Sequence, residues 1–229
     1  MNIIIIGGTR GIGKETVLNL AQDINNQIIV TGRNEKALES LTVRFKNVHA
    51  VVLDISVIDT LIESFRDYVY NHFERVDILI NMAGLLINKK FIDLSSDETR
   101  SMMETNFFGT ASLIRIVKPF MTNGSHIINI SSMGGFQGSA KFKGLSYYSA
   151  SKAAIACLTE CLANEFTEYG ISVNCLALGA VQTEMLNEAF PGYKAPVDAR
   201  HIAEFISGFA LTGHKFFNGK ILPVALSNP

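Results

Sequence analysis

The sequence is short of the residues on which several common protein chemistries depend. Cysteine occurs three times in 229 residues, an odd number with no C-x-x-C pair, which argues against a disulfide framework. Cys157 and Cys161 fall four apart in a helical stretch and are expected as small buried thiols. The five histidines are scattered without the paired spacing of a metal site, so no metal is expected. An excess of one charge is missing too: 20 Lys and Arg against 21 Asp and Glu leave a formal charge of −1, which gives no electrostatic footprint for nucleic acid or an anionic membrane. No apolar run approaches the ~18 residues of a membrane span. Ile3–Ile6 is too short for a signal-peptide core and runs directly into glycines. Repeats and low-complexity segments are absent. The expectation is one domain over residues 1–229, cytoplasmic, partnered by neither nucleic acid nor membrane.

Apolar residues make up 48% of the chain, ample for a well-covered core, and they fall in strand-like runs alternating with amphipathic segments. Strands are expected at Asn2–Ile6, Gln27–Thr31, Val48–Leu53, Val76–Asn81, His126–Ile130, Ile171–Leu176 and near Lys220–Val224. Helices are expected at Gly11–Gln22, Glu35–Phe45, Val57–Phe73, Ser96–Met121 and Tyr148–Tyr169, with shorter ones after Thr183 and Val197. Runs of Ile, Val and Leu without alternation are strands buried on both faces, as in a parallel sheet covered by helices. This pattern predicts an α/β domain with a doubly wound parallel sheet of about seven strands and right-handed crossovers. Met133–Ser146, rich in Gly and Ser, reads as a loop.

The first strand runs into Gly7-Gly8-Thr9-Arg10-Gly11-Ile12-Gly13 and then a helix. Glycines there let the backbone approach a pyrophosphate at a helix N-terminus. The alternative is a tight turn with no ligand. After the second strand, where an NAD-binding fold places an acid to hold ribose hydroxyls, the chain has Gly32 and Arg33. Without that carboxylate, and with Arg33 and Arg10 to pair with a 2′-phosphate, NADPH is favoured over NADH. Asp54 is either an acceptor for the adenine amino group or the cap of the helix that follows.

Tyr148 and Lys152 are four apart, which sets them on one helix face. A tyrosine with its usual pKa near ~10 is a poor acid or base at neutral pH, and an adjacent ammonium lowers that value. By itself, a Tyr and Lys pair at this spacing usually reads as packing plus a solvated amine.

Together these motifs make the chain resemble the short-chain dehydrogenase/reductase family over essentially its whole length. The glycine turn is similar to that family's TGxxxGxG, with Ile6 in place of threonine. Leu53-Asp54-Ile55 resembles its adenine-binding segment, and Asn81-Met82-Ala83-Gly84 its NNAG, which steadies the sheet beside the cofactor. Asn106 matches the asparagine that kinks its helix and holds a relay water. Ile130-Ser131-Ser132 matches the strand end with the catalytic serine, assigned to Ser132, and Leu178-Gly179-Ala180-Val181-Gln182-Thr183 resembles PGxxxT. The resemblance implies a Rossmann fold and a catalytic tetrad of Asn106, Ser132, Tyr148 and Lys152. It also implies cofactor contacts from Gly7, Thr9, Arg10, Gly11, Ile12, Gly13, Arg33, Asp54, Ile55, Asn81, Ala83, Gly84, Gly179, Val181 and Thr183. The chain departs from the pattern at Met82, at Leu178, in a longer Ser132-to-Tyr148 loop and in a short segment after Thr183.

The activity so implied is NADPH-dependent reduction of a small-molecule ketone or aldehyde, with a 3-oxoacyl thioester the leading substrate guess. Alcohol oxidation, or a catalytically silent nucleotide-binding regulator, are the alternatives. Leu85, Leu86, Met133, Phe136, Met185, Leu186 and Phe190 form either an apolar substrate wall or ordinary packing. Lys141 and Lys143 are either solvated or placed to meet a carrier phosphate. Tyr148–Tyr169 is apolar on more than one face, so a homodimer or homotetramer is expected through helices 96–121 and 148–169.

Overall fold

The computed structural model describes residues 1–226. The chain begins with β1 (Asn2–Ile6), α1 (Gly11–Leu20), β2 (Gln27–Gly32), α2 (Glu35–Arg44), β3 (Val48–Val52), α3 (Ile62–His72) and β4 (Val76–Asn81). It continues through α4 (Ser96–Met103), α5 (Gly109–Val117), β5 (Met121–Ser132), α6 (Ser146–Glu165) and β6 (Ser172–Leu178). It ends with β7 (Val181–Gln182), α7 (Glu184–Ala189), β8 (Val197–Asp198), α8 (Ala199–Thr212) and β9 (Ile221–Val224). Seven strands form one parallel sheet in the order β3-β2-β1-β4-β5-β6-β9. The two-residue strands β7 and β8 pair separately, a feature too short for a sequence pattern to show.

The isoleucine run of β1 shows why the strands read as unbroken apolar segments. Ile3 and Ile5 face one layer with Val17 of α1, Leu38 of α2 and Ile206 of α8. Ile4 and Ile6 face the other, with Phe65 of α3, Leu113 of α5 and Ala163 of α6. All four are at most 1% exposed, and full burial of each such side chain is worth about 1.5–3 kcal/mol. No helix among the described residues is long and apolar enough to cross a membrane.

Several expected boundaries move. The helix expected over Ser96–Met121 is broken into α4, a π-helical turn at Glu104–Phe108, α5 and a 3-10 turn at Lys118–Phe120. The π turn carries Asn106 inward, where it is 1% exposed. Pro119 sits at the start of the 3-10 turn, and Met121 already belongs to β5, paired with Val76. Val57 lies in a 3-10 segment at Ile55–Thr60 that precedes α3. The helix expected at Tyr148–Tyr169 runs from Ser146 to Glu165, and Thr167–Tyr169 is a separate 3-10 turn. Cys157 and Cys161 are exposed rather than buried. Spacing of four puts both on the face of α6 opposite Ile155, Ala156 and Thr159, which turn inward.

Candidate active site

The chain reverses its direction of travel across the sheet between β1 and β4, and in open α/β sheets the crevice at that switch point, beyond the strand ends, is where ligands bind. A cavity of about 560 Å³ opens there, within the size range of cofactor and small-molecule sites. The cavity walls include every residue expected at the site except Asn81 and Asn106, which stand behind them.

The glycine turn forms one end. Gly7 has φ +89°, and a Cβ on it would lie 2.7 Å from the backbone of Ala83. A Cβ on Gly13 would lie 2.0 Å from the Gly7 carbonyl oxygen. Only glycines let β1, α1 and the chain after β4 approach this closely, leaving a cradle open to a phosphate at the N-terminus of α1. Cations stand nearby, each held by a carboxylate. Arg10 Nη1 donates to Glu188 at 3.0 Å, and Arg33 lies 3.8 Å from Asp54. Asp54 Oδ1 also accepts from the Ser56 N–H at 3.0 Å and its hydroxyl at 2.7 Å, so this oxygen caps the 3-10 turn while Oδ2 faces Arg33. Burial opposes ionisation of Asp54, but the Ser56 hydrogen bonds and Arg33 outweigh it and hold the carboxyl below its ordinary value. The cradle and its flanking arginines fit an anionic dinucleotide.

The wall behind the cavity is a hydrogen-bond network. Asn81 Nδ2 donates to Asn129 Oδ1 at 2.8 Å, and Asn129 Nδ2 donates to Thr159 Oγ1 at 2.9 Å, joining β4, β5 and α6. Asn106 Oδ1 accepts from the Leu85 N–H at 2.7 Å, while its Nδ2 donates to the Leu85 carbonyl and to Ser151 Oγ. The inward asparagine thus fixes the chain that follows Gly84. A Cβ on Gly84 would meet Asn106 Oδ1 and Lys152 Nζ, both at 3.4 Å. Of the departures from the family pattern, Met82 packs against the core layer of α1 and α8. Leu178 ends β6 as a buried core residue paired with Val224.

Ser132, Tyr148 and Lys152 meet in the middle of the cavity. Ser132, at the end of β5, accepts from the Gly134 N–H at 3.1 Å and hydrogen-bonds Tyr148. Its neighbour Ser131 points the other way and donates to the Lys152 carbonyl at 2.7 Å. Lys152 is 5% exposed and donates through Nζ to the Ile130 carbonyl at 2.9 Å. Burial lowers its pKa to about 8. The tyrosine departs from expectation. Burial raises the Tyr148 pKa and the Ser132 hydrogen bond opposes that rise, while the Lys152 ammonium sits 6.0 Å from the ring centroid.

Leu86, Met133, Met185, Leu186 and Phe190 line the cavity too, whereas Leu85 and Phe136 do not. Phe142, Leu145 and Tyr193 also line it; they sit in irregular segments whose approach to the cavity has no periodic signal. Lys141 donates to the Phe136 carbonyl at 2.7 Å and to Ser139 Oγ at 2.8 Å, pinning its own loop.

A cavity with a phosphate cradle at one end and a proton-transfer pair in the middle is built for nicotinamide redox chemistry, which defines the class as NAD(P)-dependent oxidoreductase. The chain belongs to the short chain dehydrogenase family, whose pattern it matches over residues 1–194. It is 30% identical over 219 residues to an uncharacterized oxidoreductase of Staphylococcus aureus strain N315, covering 94% of this chain and 92% of that one. A Staphylococcus epidermidis oxidoreductase is 29% identical over 211 residues, covering 91% and 90%. Among solved structures, ElxO with NADP bound superposes with a TM-score of 0.83 at 26% identity, over 98% of this chain and 96% of that chain. A Burkholderia cenocepacia short chain dehydrogenase in complex with NADP shares the fold, with a TM-score of 0.87 at 22% identity over 97% and 95%.

Proposed function

We propose that the protein is a cytoplasmic NADPH-dependent reductase of small-molecule ketones or aldehydes, acting best on an apolar carbonyl such as a 3-oxoacyl thioester. The observation that carries this reading is the presence of Ser132, Tyr148 and Lys152 in one cavity with Met185, Leu186 and Phe190. Reduced nicotinamide, when bound, supplies the hydride. The Ser132 hydroxyl hydrogen-bonds the substrate oxygen and stabilises the negative charge that develops there. Tyr148 gives its phenolic proton to that oxygen. The raised Tyr148 pKa keeps the phenol protonated at neutral pH, the form that can donate a proton in a reduction. Lys152, with a pKa near 8, is still mainly an ammonium at pH 7; it holds ribose hydroxyls and favours the tyrosinate left after proton transfer. Asn106 positions the chain at Leu85 and supports proton resupply through water.

Gly7, Thr9, Gly11, Ile12 and Gly13 hold the pyrophosphate, Arg10 and Arg33 the adenosine 2′-phosphate, and Asp54 and Ile55 the adenine. Asn81, Ala83, Gly84, Gly179, Val181 and Thr183 frame the nicotinamide half. The assembly we favour is a homodimer or homotetramer through the 96–121 and 148–169 helices. In its support, the outer face of α6 exposes Ala153, Cys157 and Cys161, and Phe108 beside α5 is 50% exposed. The test of the activity is NADPH oxidation against a panel of aldehydes, ketones and 3-oxoacyl thioesters. Turnover of the apolar carbonyls supports the reading; turnover of none, with secondary alcohols oxidised instead, would replace it with a dehydrogenase.

A further inference from the structure

One of the two cations assigned to the adenosine 2′-phosphate, Arg10, is already paired with a carboxylate from another wall of the site. Arg10 sits in the glycine turn as the residue before α1, and Glu188 belongs to α7, the short helix that also presents Met185 and Leu186 to the cavity. The two meet at 3.0 Å. Glu184, four residues before Glu188 and therefore on the same helical face, lies against the turn as well: a Cβ on Gly11 would be 3.5 Å from Glu184 Oε2.

This arrangement is unfavourable within α7 itself. Like charges four apart repel, and the helix, Glu-Met-Leu-Asn-Glu-Ala, has no basic residue of its own. Its charge complement lies across the site, in the Arg10 guanidinium and the positive end of the ten-residue helix α1. Those are the groups that would receive a dinucleotide's phosphates. Arg10 is 46% exposed and Glu188 65%, so solvent and solutes reach both partners and exchange is unobstructed.

We propose that Glu188 is a cofactor-specificity residue: it occupies Arg10 in place of the 2′-phosphate, so that NADPH must displace it and α7 is unlatched from the glycine turn as the phosphate binds. The inference rests on the assignment of Arg10 to the 2′-phosphate made above. NADH, lacking that phosphate, leaves the Arg10–Glu188 pair in place. Glu188 therefore taxes NADPH alone, and the helix carrying Met185 and Leu186 shifts only when the phosphorylated cofactor arrives.

The experiment is a direct binding titration at low ionic strength of the full chain and its Glu188→Gln variant, with NADPH, NADH, adenosine 2′,5′-bisphosphate and 5′-AMP. Glu188→Gln is expected to tighten NADPH and the bisphosphate about two- to five-fold, the range that an exposed ion pair is worth. NADH and 5′-AMP should be unchanged, and in an Arg10→Ala background the same substitution should change nothing. Unchanged or weaker NADPH binding in Glu188→Gln, or equal tightening of NADH, overturns the latch while leaving the cofactor assignment standing. Failure of the unaltered protein to bind NADPH overturns the cofactor assignment and the latch with it.

Discussion

His126 makes the fold acid-sensitive in a defined window. It is fully buried on β5, with its ring 5.5 Å from those of Phe209 and His214. Nδ1 faces the Ala210 carbonyl at 3.2 Å, which can only accept, so Nδ1 carries the proton. Nε2 lies 3.0 Å from Asn174 Nδ2. That amide's orientation is set by its donation to the Phe217 carbonyl and by the Lys220 N–H, which donates to Asn174 Oδ1. Nε2 is therefore an acceptor, and protonating it would set two donors against each other in a buried site. Burial, against the Ala210 hydrogen bond and with the help of His214, lowers the pKa from 6.5 to about 4. Between those values the unfolded chain binds a proton that the folded chain refuses, so stability is full above pH 6.5 and falls as pH drops towards 4. At ~1.4 kcal/mol per pKa unit the loss amounts to about 3 kcal/mol. Urea unfolding at a series of pH values measures it, with His126→Gln as the non-titrating reference. The expected result is a pH slope that flattens by about 1.4 kcal/mol per unit near the middle of the window in the variant. Equal slopes in the two proteins would refute the reasoning.

Asn129→Ala should destabilise the protein by about 2 kcal/mol, because it strips the acceptor from the Asn81 amide and the donor from Thr159 in a fully buried network; a denaturant midpoint within error of the unaltered protein's would contradict this. Arg33→Asp should weaken NADPH binding at least about ten-fold relative to NADH, since it replaces a charge-assisted contact with an anion next to Asp54; titration with both cofactors checks it, and an unchanged ratio would remove Arg33 from the 2′-phosphate site.

Much of this was legible because the determinants are local. β1 and β4 occur at the predicted residues, since apolar runs such as Ile3–Ile6 before a glycine and Ile78–Ile80 before an asparagine have few other solutions. Helical spacing set Tyr148 and Lys152 on one face, the family resemblance added Ser132, and the three line one cavity. What the sequence did not display was set by tertiary contacts. The π turn at Glu104–Phe108 lets Asn106 reach Leu85 and Ser151, partners far away in the chain. The exposed Cys157 and Cys161 depend on which face of α6 meets the sheet, and an apolar all-round helix does not announce that choice. The Arg10–Glu188 pair joins opposite ends of the chain, beyond any spacing rule. Tyr148 was expected to have a lowered pKa because a lysine lies one turn away. Burial of the phenol is the larger effect, and the same burial brings Lys152 down to about 8.

The central claim, that Tyr148 donates the proton in an NADPH-dependent carbonyl reduction, is tested most directly by Tyr148→Phe, measuring NADPH affinity and turnover on the same preparation. The phenolic proton is needed only in the reaction, whereas the cofactor is held by the glycine turn, the arginines and Lys152. The account predicts NADPH affinity within about three-fold of the unaltered protein and turnover reduced by ~10²-fold or more, the usual contribution of a general acid. Turnover above about a tenth of the original, less than ~1.4 kcal/mol in the barrier, would contradict it.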